Sequence, residues 1–369
     1  MIKMPQHVLA FAKDNLDIYK TFSDYFNHYR ADTYGAKVSY SSVDSEGKPI
    51  NFEDKTEIMN RELKAEVARV SCMQNLEFSD AVLNSNPMYR WATFAVINAL
   101  IDMVIPDVLM SDIGMFTEIK VGGYGDSFTY TVKPNDLFYI SKASHGKRTG
   151  SAQRQYEGQV AIVPEERDVT VTEDLYRILC GNVNLAEFAM KAALSMEAEM
   201  ALDAYTAFNG IFADASFPAA LKITGFTTTS VLTLAGKVKS FNSGAKPVFV
   251  GTQVALNKVF PTAATTQVQI DSEYVKIGYL KVFGGYECLV LDQKADWQSA
   301  TYATLIDDTK IYVMCPSMGK PVKTCIEGQT ITVSDGVNAN ANREQVTTLS
   351  KMWGTGVATN SKIGLITLA

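Results

Sequence analysis

The side chains best suited to exchange a proton near neutral pH are His7, His28 and His145. None stands in a sequence pattern with a nucleophile or carboxylate of the kind that acyl or phosphoryl transfer uses. His7 and His28 fall in what reads as an N-terminal arm, and His145 in a loop. The five cysteines, Cys72, Cys180, Cys288, Cys315 and Cys325, lie far apart with no CxxC. An odd, scattered set reads as reduced, mostly buried thiols rather than a disulfide framework. Cys315 and Cys325 flank an expected hairpin and read as two strand-buried thiols. No HExxH and no other His/Cys cluster offers a transition-metal site.

Two glycine-rich stretches invite a phosphate and decline it. In HGKRTG (145–150) Ser141 stands where a phosphate loop needs its first glycine, and Arg148 where it needs a hydroxyl. GGYGD (122–126) runs into a strand pattern, whereas a dinucleotide fingerprint opens a helix. It reads as a turn. DGVNANANRE (335–344) spaces its oxygens without the acid pattern or central glycine of a calcium loop, and reads as a surface loop. No catalytic residue, metal or cofactor is expected.

What remains is charge. Residues 137–156, LFYISKASHGKRTGSAQRQY, contain Lys142, Lys147, Arg148 and Arg154 and no acid between Asp136 and Glu157. The whole chain is acidic, with a net charge of -6, so this basic run is local. A dedicated nucleic-acid binder would carry a basic domain instead. Three readings stay open for the run: docking on an acidic protein surface, phosphate binding, or a plain solvated loop.

The elements that must hold this run can be read from periodicity. Residues 1–50 mix aromatics with charges and then turn Ser/Gly/Asp-rich, which reads as an arm with limited structure of its own. Apolar residues at Ile58, Met59, Leu63, Val67, Val70 and Met73 predict an amphipathic helix from Lys55 to about Phe78. A second helix should start at Asn86-Pro87 and end before Pro106. FTEIKVGGYGDSFTYTV alternates around GGYGD and predicts a β-hairpin. With QVAIVPEERDVTVTEDLY it makes 116–172 one long two-stranded excursion with the basic residues near its tip.

The strongest helix is 184–210. Asn184 can cap it, Glu187 and Lys191 form an i,i+4 pair, and Asn209-Gly210 should stop it. Beyond it, 230–244 reads as a helix, 246–251 as a buried strand, and 252–261 as a short helix capped by Thr252 and closed by Pro261. Strands come next at 281–292 and 310–315, then long strands over 320–333 and 343–368. The class is α+β.

At 369 residues and 47% hydrophobic, the chain suits two or three folded domains. Charges arrive too early in the first twenty residues for a signal peptide. Asp102, Pro106 and Asp107 break the most apolar window, 91–110, short of a bilayer span. The expectation is a soluble protein of a reducing cytoplasm.

The order of parts resembles the HK97-type major capsid proteins of tailed phages. The likeness lies in an arm, a two-stranded excursion, the helix NLAEFAMKAALSMEAEMALDAYTAFNG, the stretches KPVFVGTQVALNKVF and GYLKVFGGYECLVLD, and the close KMWGTGVATNSKIGLITL. It spans about residues 50–369. The resemblance implies an N-terminal arm and helices in 1–115 and an extended E-loop in 116–172. A peripheral domain with the spine helix 184–210 would occupy 173–225, an inserted axial domain 226–309, and closing peripheral-domain strands 310–369. It also implies a shell protein that assembles with itself into hexamers and pentamers of an icosahedral phage head around double-stranded DNA. Lys142, Lys147, Arg148 and Arg154 would touch the neighbouring subunit.

Scaffold, portal and decoration proteins are implied partners, with DNA contacted only weakly and no membrane. The implied location is the virion, assembled in the host cytoplasm. Some family members join an E-loop lysine to an asparagine of the next subunit, a role open here to Lys142 or Lys147 with Asn360. An encapsulin-like compartment shell and a soluble α+β hydrolase are the alternative readings.

Overall fold

The computed structural model describes residues 16–34, 38–41, 50–72, 87–132, 134, 138–142, 145, 151–155, 157–174, 185–215, 217–259, 278–291, 293, 303–335 and 344–368. The segment expected as an arm with limited structure of its own contains a helix, α1 (Leu16–Tyr34). Its polar residues weaken helix propensity, yet Ile18, Phe22, Tyr25 and Phe26 fall on one face and are buried. They join Met59, Leu63 and Val67 of α2 (Phe52–Val70) in one core. Tertiary burial, not local preference, makes this helix. The Asp54 carboxylate accepts the Asn51 N–H at 3.2 Å and closes the first turn of α2.

Helix α3 (Pro87–Asp112) runs through Pro106 rather than ending before it. The missing N–H removes the bond to the Asp102 carbonyl. Val104, Ile105, Val108 and Leu109 are buried on both sides of the proline, and their packing offsets that loss. Met88–Met110 is long and apolar enough to cross a bilayer, but 67% of its most apolar window is buried inside the chain.

Helix α4 (Leu185–Ala213) is about 43 Å long at 1.5 Å per residue. Glu187 and Lys191 pair at 2.6 Å as expected, while Asn184 lies outside the described residues. The helix does not stop at Asn209-Gly210. Phe212 is buried with its ring 5.4 Å from those of Phe208 and Tyr312, and the Asn209 Oδ1 accepts the Tyr312 hydroxyl at 2.8 Å. Those contacts carry the last turn past the glycine.

The expected hairpin around GGYGD is not formed. Strand β1 (Thr117–Gly122) pairs in parallel with β10 (Val322–Asp335), Thr117 opposite Val322. Strand β2 (Phe128–Val132) pairs antiparallel with β3 (Gly158–Ile162), Phe128 opposite Ile162. The alternation correctly predicts strands, but the partner of each strand lies far away in sequence. Strand β4 (Glu165–Asp174) pairs with β11 (Glu344–Val357), giving a sheet in the order β1-β10-β11-β4. The two-stranded part of the excursion is therefore β2–β3 alone. Leu349, Trp353, Val322 and Ile326 turn one face of the four-stranded sheet into the core beneath α3 and α4.

A second sheet has the order β5-β12-β9-β6-β8-β7. It comprises β5 (Lys222–Thr224), β6 (Val248–Gly251), β7 (Val282–Phe283), β8 (Tyr286–Val290), β9 (Lys310–Met314) and β12 (Gly364–Thr367). The expected single strand at 281–292 is a hairpin, turned at Gly284 and Gly285 with φ +58° and +84°, values that favour glycine. Helix α5 (Thr228–Phe241) covers one face, its first turn capped by the Thr227 hydroxyl accepting Ser230 N–H at 3.3 Å. The short α6 (Gln253–Asn257) is capped by Thr252, as expected. Pro261 lies outside the described residues.

Cys288, Cys315 and Cys325 are buried and free, and Cys72 is exposed; Cys180 lies outside the described residues. Burial pushes the Cys288 and Cys325 thiols up to about 11 and also raises Cys315. A thiolate is the reacting form, so these three should resist alkylation. Peptide-mapped maleimide labelling of native protein at about pH 8 should modify Cys72 and spare Cys288, Cys315 and Cys325 until denaturant is added. Native labelling of Cys325 would contradict its burial under Ile162.

Candidate assembly surfaces

The β2–β3 excursion is seated at its root. Phe128, Tyr130 and Ile162 close over Cys325 in a small apolar cluster on the sheet. The Tyr130 hydroxyl donates to the Thr324 carbonyl at 2.7 Å, and burial raises its pKa well above the ordinary phenol value. The Lys120 ammonium lies 4.1 Å from the Tyr130 ring centre and donates to the Thr129 carbonyl at 2.6 Å. Lys323, itself buried, pairs with Glu118 at 2.5 Å. Two glycines of β11 admit the returning chain. A Cβ on Gly354 would sit 2.5 Å from the Val163 carbonyl oxygen, and one on Gly356 would meet Ile162 at 3.2 Å.

Beyond the strands the Gln153 amide ties the two arms together. Gln153 donates Nε2 to the Tyr139 carbonyl at 2.6 Å and accepts the Tyr139 N–H at 2.7 Å. A side chain thus substitutes for the strand pairing that ended at Val132 and Gly158. On these arms Phe138, Tyr139 and Ile140 are 58%, 77% and 89% exposed. Lys142 and Arg154 are also exposed, one on each arm. Lys147 and Arg148 lie outside the described residues. The sequence singles out the cations and gives no sign that the apolar triplet beside them is uncovered, although LFYI stands in the same stretch. Three consecutive large apolar side chains left exposed form the kind of patch that interaction sites carry.

Other apolar side chains are left to solvent elsewhere. Past Glu327 strand β10 has lost β1 as a neighbour, and Ile331 and Val333 are exposed there. Around the second sheet Phe241 at the end of α5, Val254 of α6 and Val282 of β7 are exposed.

The sheet that carries these surfaces is pinned to the helices by polar groups. Asp102 of α3, buried, holds the buried Lys351 of β11 and accepts both the N–H and the hydroxyl of Thr330, the latter at 2.6 Å. Thr330 sits in the register shift between Glu327 and Ile331. The GGYGD turn covers the same irregularity, with the Tyr124 hydroxyl donating to the Gln329 carbonyl at 2.7 Å over Gly328, whose φ is +65°. A bulge of this kind bends the strand and re-aims the residues beyond it. Arg167 of β4 reaches Glu199 at 3.3 Å and Asp203 at 3.0 Å on α4, and its guanidinium lies over Trp353.

His145 is exposed in a turn, and His28 is buried on helix α1 within the segment expected as an arm; His7 lies outside the described residues. Asn360 lies between β11 and β12. Among the described residues no group of three His, Cys, Asp or Glu side chains could hold a metal ion.

A family described as "SPbeta prophage-derived putative capsid protein YonB" matches residues 43–367. Among solved structures, the capsid of the cyanophage P-SCSP1u is similar at 14% identity and a TM-score of 0.47, over 70% of this chain and 88% of that one. The head structure of Helicobacter pylori bacteriophage KHP40 is similar at 8% identity and 0.45, over 69% and 91%. The mature capsid of bacteriophage PhiM1 is similar at 11% identity and 0.44, over 69% and 86%. No curated protein sequence matches. With 43–367 matched, the chain belongs to the YonB family of prophage-derived capsid proteins.

Proposed function

We propose that the chain is the major shell protein of a phage head of the HK97 type, with a structural and not an enzymatic role. It assembles with itself into hexamers and pentamers that close into an icosahedral shell around double-stranded DNA. The observation that carries this reading is the excursion: a two-stranded ribbon locked at its root, bearing Phe138, Tyr139 and Ile140 on a part the subunit does not cover. The family match supports it. Many modest contacts of this sort, repeated by closed symmetry, add up to a stable shell.

In this reading 116–172 is the E-loop, with β2–β3 its extended part. Residues 173–225 and 310–369 form the peripheral domain, 226–309 the axial domain, and 1–115 the N-terminal region. Lys142, Lys147, Arg148 and Arg154 meet acidic groups of the next subunit and set its register, while the apolar triplet supplies affinity. Assembly takes place in the host cytoplasm with a scaffold and a portal, and the product is the virion shell.

Negative-stain electron microscopy of the expressed protein tests the proposal. Closed shells of one diameter, rings or tubes are expected; uniform small particles in every condition would count against it. Replacing Lys142, Lys147, Arg148 and Arg154 together by Glu should cut shell yield by on the order of tenfold, since one charge pair at an interface is worth about 1.5 kcal/mol or more. Full shells from that variant would remove the docking role.

A further inference from the structure

Between α1 and α2 the residues 38–41 lie against both helices, and one carboxylate holds them there. Asp24 accepts the Ser41 N–H on Oδ1 at 2.6 Å and the Lys55 ammonium on Oδ2 at 2.6 Å. Tyr40 lies flat on His28, ring centres 4.5 Å apart and planes within 9°. The Phe52 ring meets His28 edge-on at 5.9 Å. Lys55 approaches the same Tyr40 ring at 5.1 Å. His28 is 8% exposed, and its Nδ1 has no hydrogen-bond partner among the described residues.

We propose that His28 is an acid-sensitive latch: neutral, it holds the 38–41 strap between α1 and α2, and protonated, it releases the strap. The imidazole is walled by Tyr40 and Phe52, and the Nδ1–H that an imidazolium must carry finds no acceptor among the described residues. Among the described residues the charged groups facing it are Lys55 from α2 and Asp24 and Asp32 from its own helix. Asp24 is already engaged by Lys55 and Ser41, so it offers an incoming proton little.

Burial first, then the Lys55 charge, outweigh the Asp32 and Asp24 carboxylates and hold His28 below its ordinary value. A base whose pKa is lowered when latched stabilises the latch fully above the ordinary value, near 6.5. The latch weakens as the pH falls below that value, and the loss levels off below the latched one. Each unit of lowering allows up to about tenfold more of the open form.

Hydrogen exchange of the full chain tests this at about pH 7.5 and about pH 5, with rates corrected for intrinsic exchange. Peptides covering 38–41 and the facing turns of α1 and α2 should lose protection at the lower pH, while α4 keeps its protection. His28→Phe retains a ring against Tyr40 and carries no proton, so it should stay protected at both values. Unchanged wild-type protection, or the same acid loss in His28→Phe, would overturn the latch. Should His28→Phe fail to fold, histidine titration by NMR in the wild-type chain decides. One of the three imidazoles must titrate below about 6.5, and three at or above it would refute the proposal.

Discussion

Replacing Asp102 by alanine is expected to lower the unfolding free energy by about 3–5 kcal/mol, the cost of stranding a buried charge. The ammonium of Lys351 lies buried with Asp102 and Thr330 as its polar partners. Removing the carboxylate also orphans the Thr330 N–H and hydroxyl, which bond it at 2.9 and 2.6 Å. Lys351→Ala should be similarly harmful, because it leaves the anion buried. The double variant Asp102→Leu with Lys351→Met should recover the part due to the stranded charge, since an apolar pair of like volume has no charge to desolvate, but not the part due to Thr330, whose N–H and hydroxyl stay without the carboxylate.

Denaturant unfolding of the unassembled subunit reads all three, and with the single variants Asp102→Leu and Lys351→Met the thermodynamic cycle closes and should show strong coupling between the two sites. If Asp102→Ala unfolds within about 0.5 kcal/mol of the wild type, water reaches the pair and its burial does not govern stability. The pair joins α3 to the register shift of β10 and to β11, so its loss should also loosen the bend at Glu327–Ile331. The exposed Ile331 and Val333 come after that bend, which links core stability to a surface open to partners.

The second large effect is expected at Gly354. An alanine Cβ there would lie 2.5 Å from the Val163 carbonyl oxygen and 3.1 Å from both Ile162 Cγ2 and Pro164 Cα. Two of those atoms are backbone, so the returning chain itself must shift. Overpacking of this kind costs about 1–3 kcal/mol. The subunit should fold nonetheless, because the strain sits at the root of β3 and not in the main core. What changes is the direction of the β2–β3 ribbon, and a small tilt at the root is a larger displacement at Tyr139. Gly354→Ala should therefore assemble poorly while staying soluble. Cys325 reports the cause independently: it is buried under Ile162, and lifting β3 should make it reactive toward maleimide in the native state. Normal shells together with an unreactive Cys325 would show that the root does not hold the ribbon's direction.

The sequence by itself determined the elements whose burial pattern is local. Helix α4 is legible from its alanine-rich stripe and its Glu187–Lys191 pair, and α5 and α6 from apolar spacing with Thr252 as a cap for the second. The long strands β10 and β11 are legible as strands, although the second stops at Val357 and Gly364–Thr367 joins the other sheet, and the burial of Cys315 and Cys325 is legible from the apolar strands around them. The order of these parts also suffices to point to a capsid protein, which the family match bears out. Hydrophobic period is a property of neighbours along the chain, so one sequence carries it.

Tertiary structure alone decided the rest. Phe22, Tyr25 and Phe26 make a helix within the expected arm, because α2 offers a face to bury them. Pro106 stays inside α3, and Gly210 inside α4, because packing on either side outweighs a lost hydrogen bond and a weak residue. GGYGD turns, as its glycines imply, yet β1 goes to β10 and β2 to β3, since alternation states that a strand exists and not which strand it pairs with. The site is divided the same way. Four cations are visible in the sequence, but the exposure of Phe138, Tyr139 and Ile140 is not, because an apolar residue's place in or out of water depends on what the rest of the chain brings to cover it.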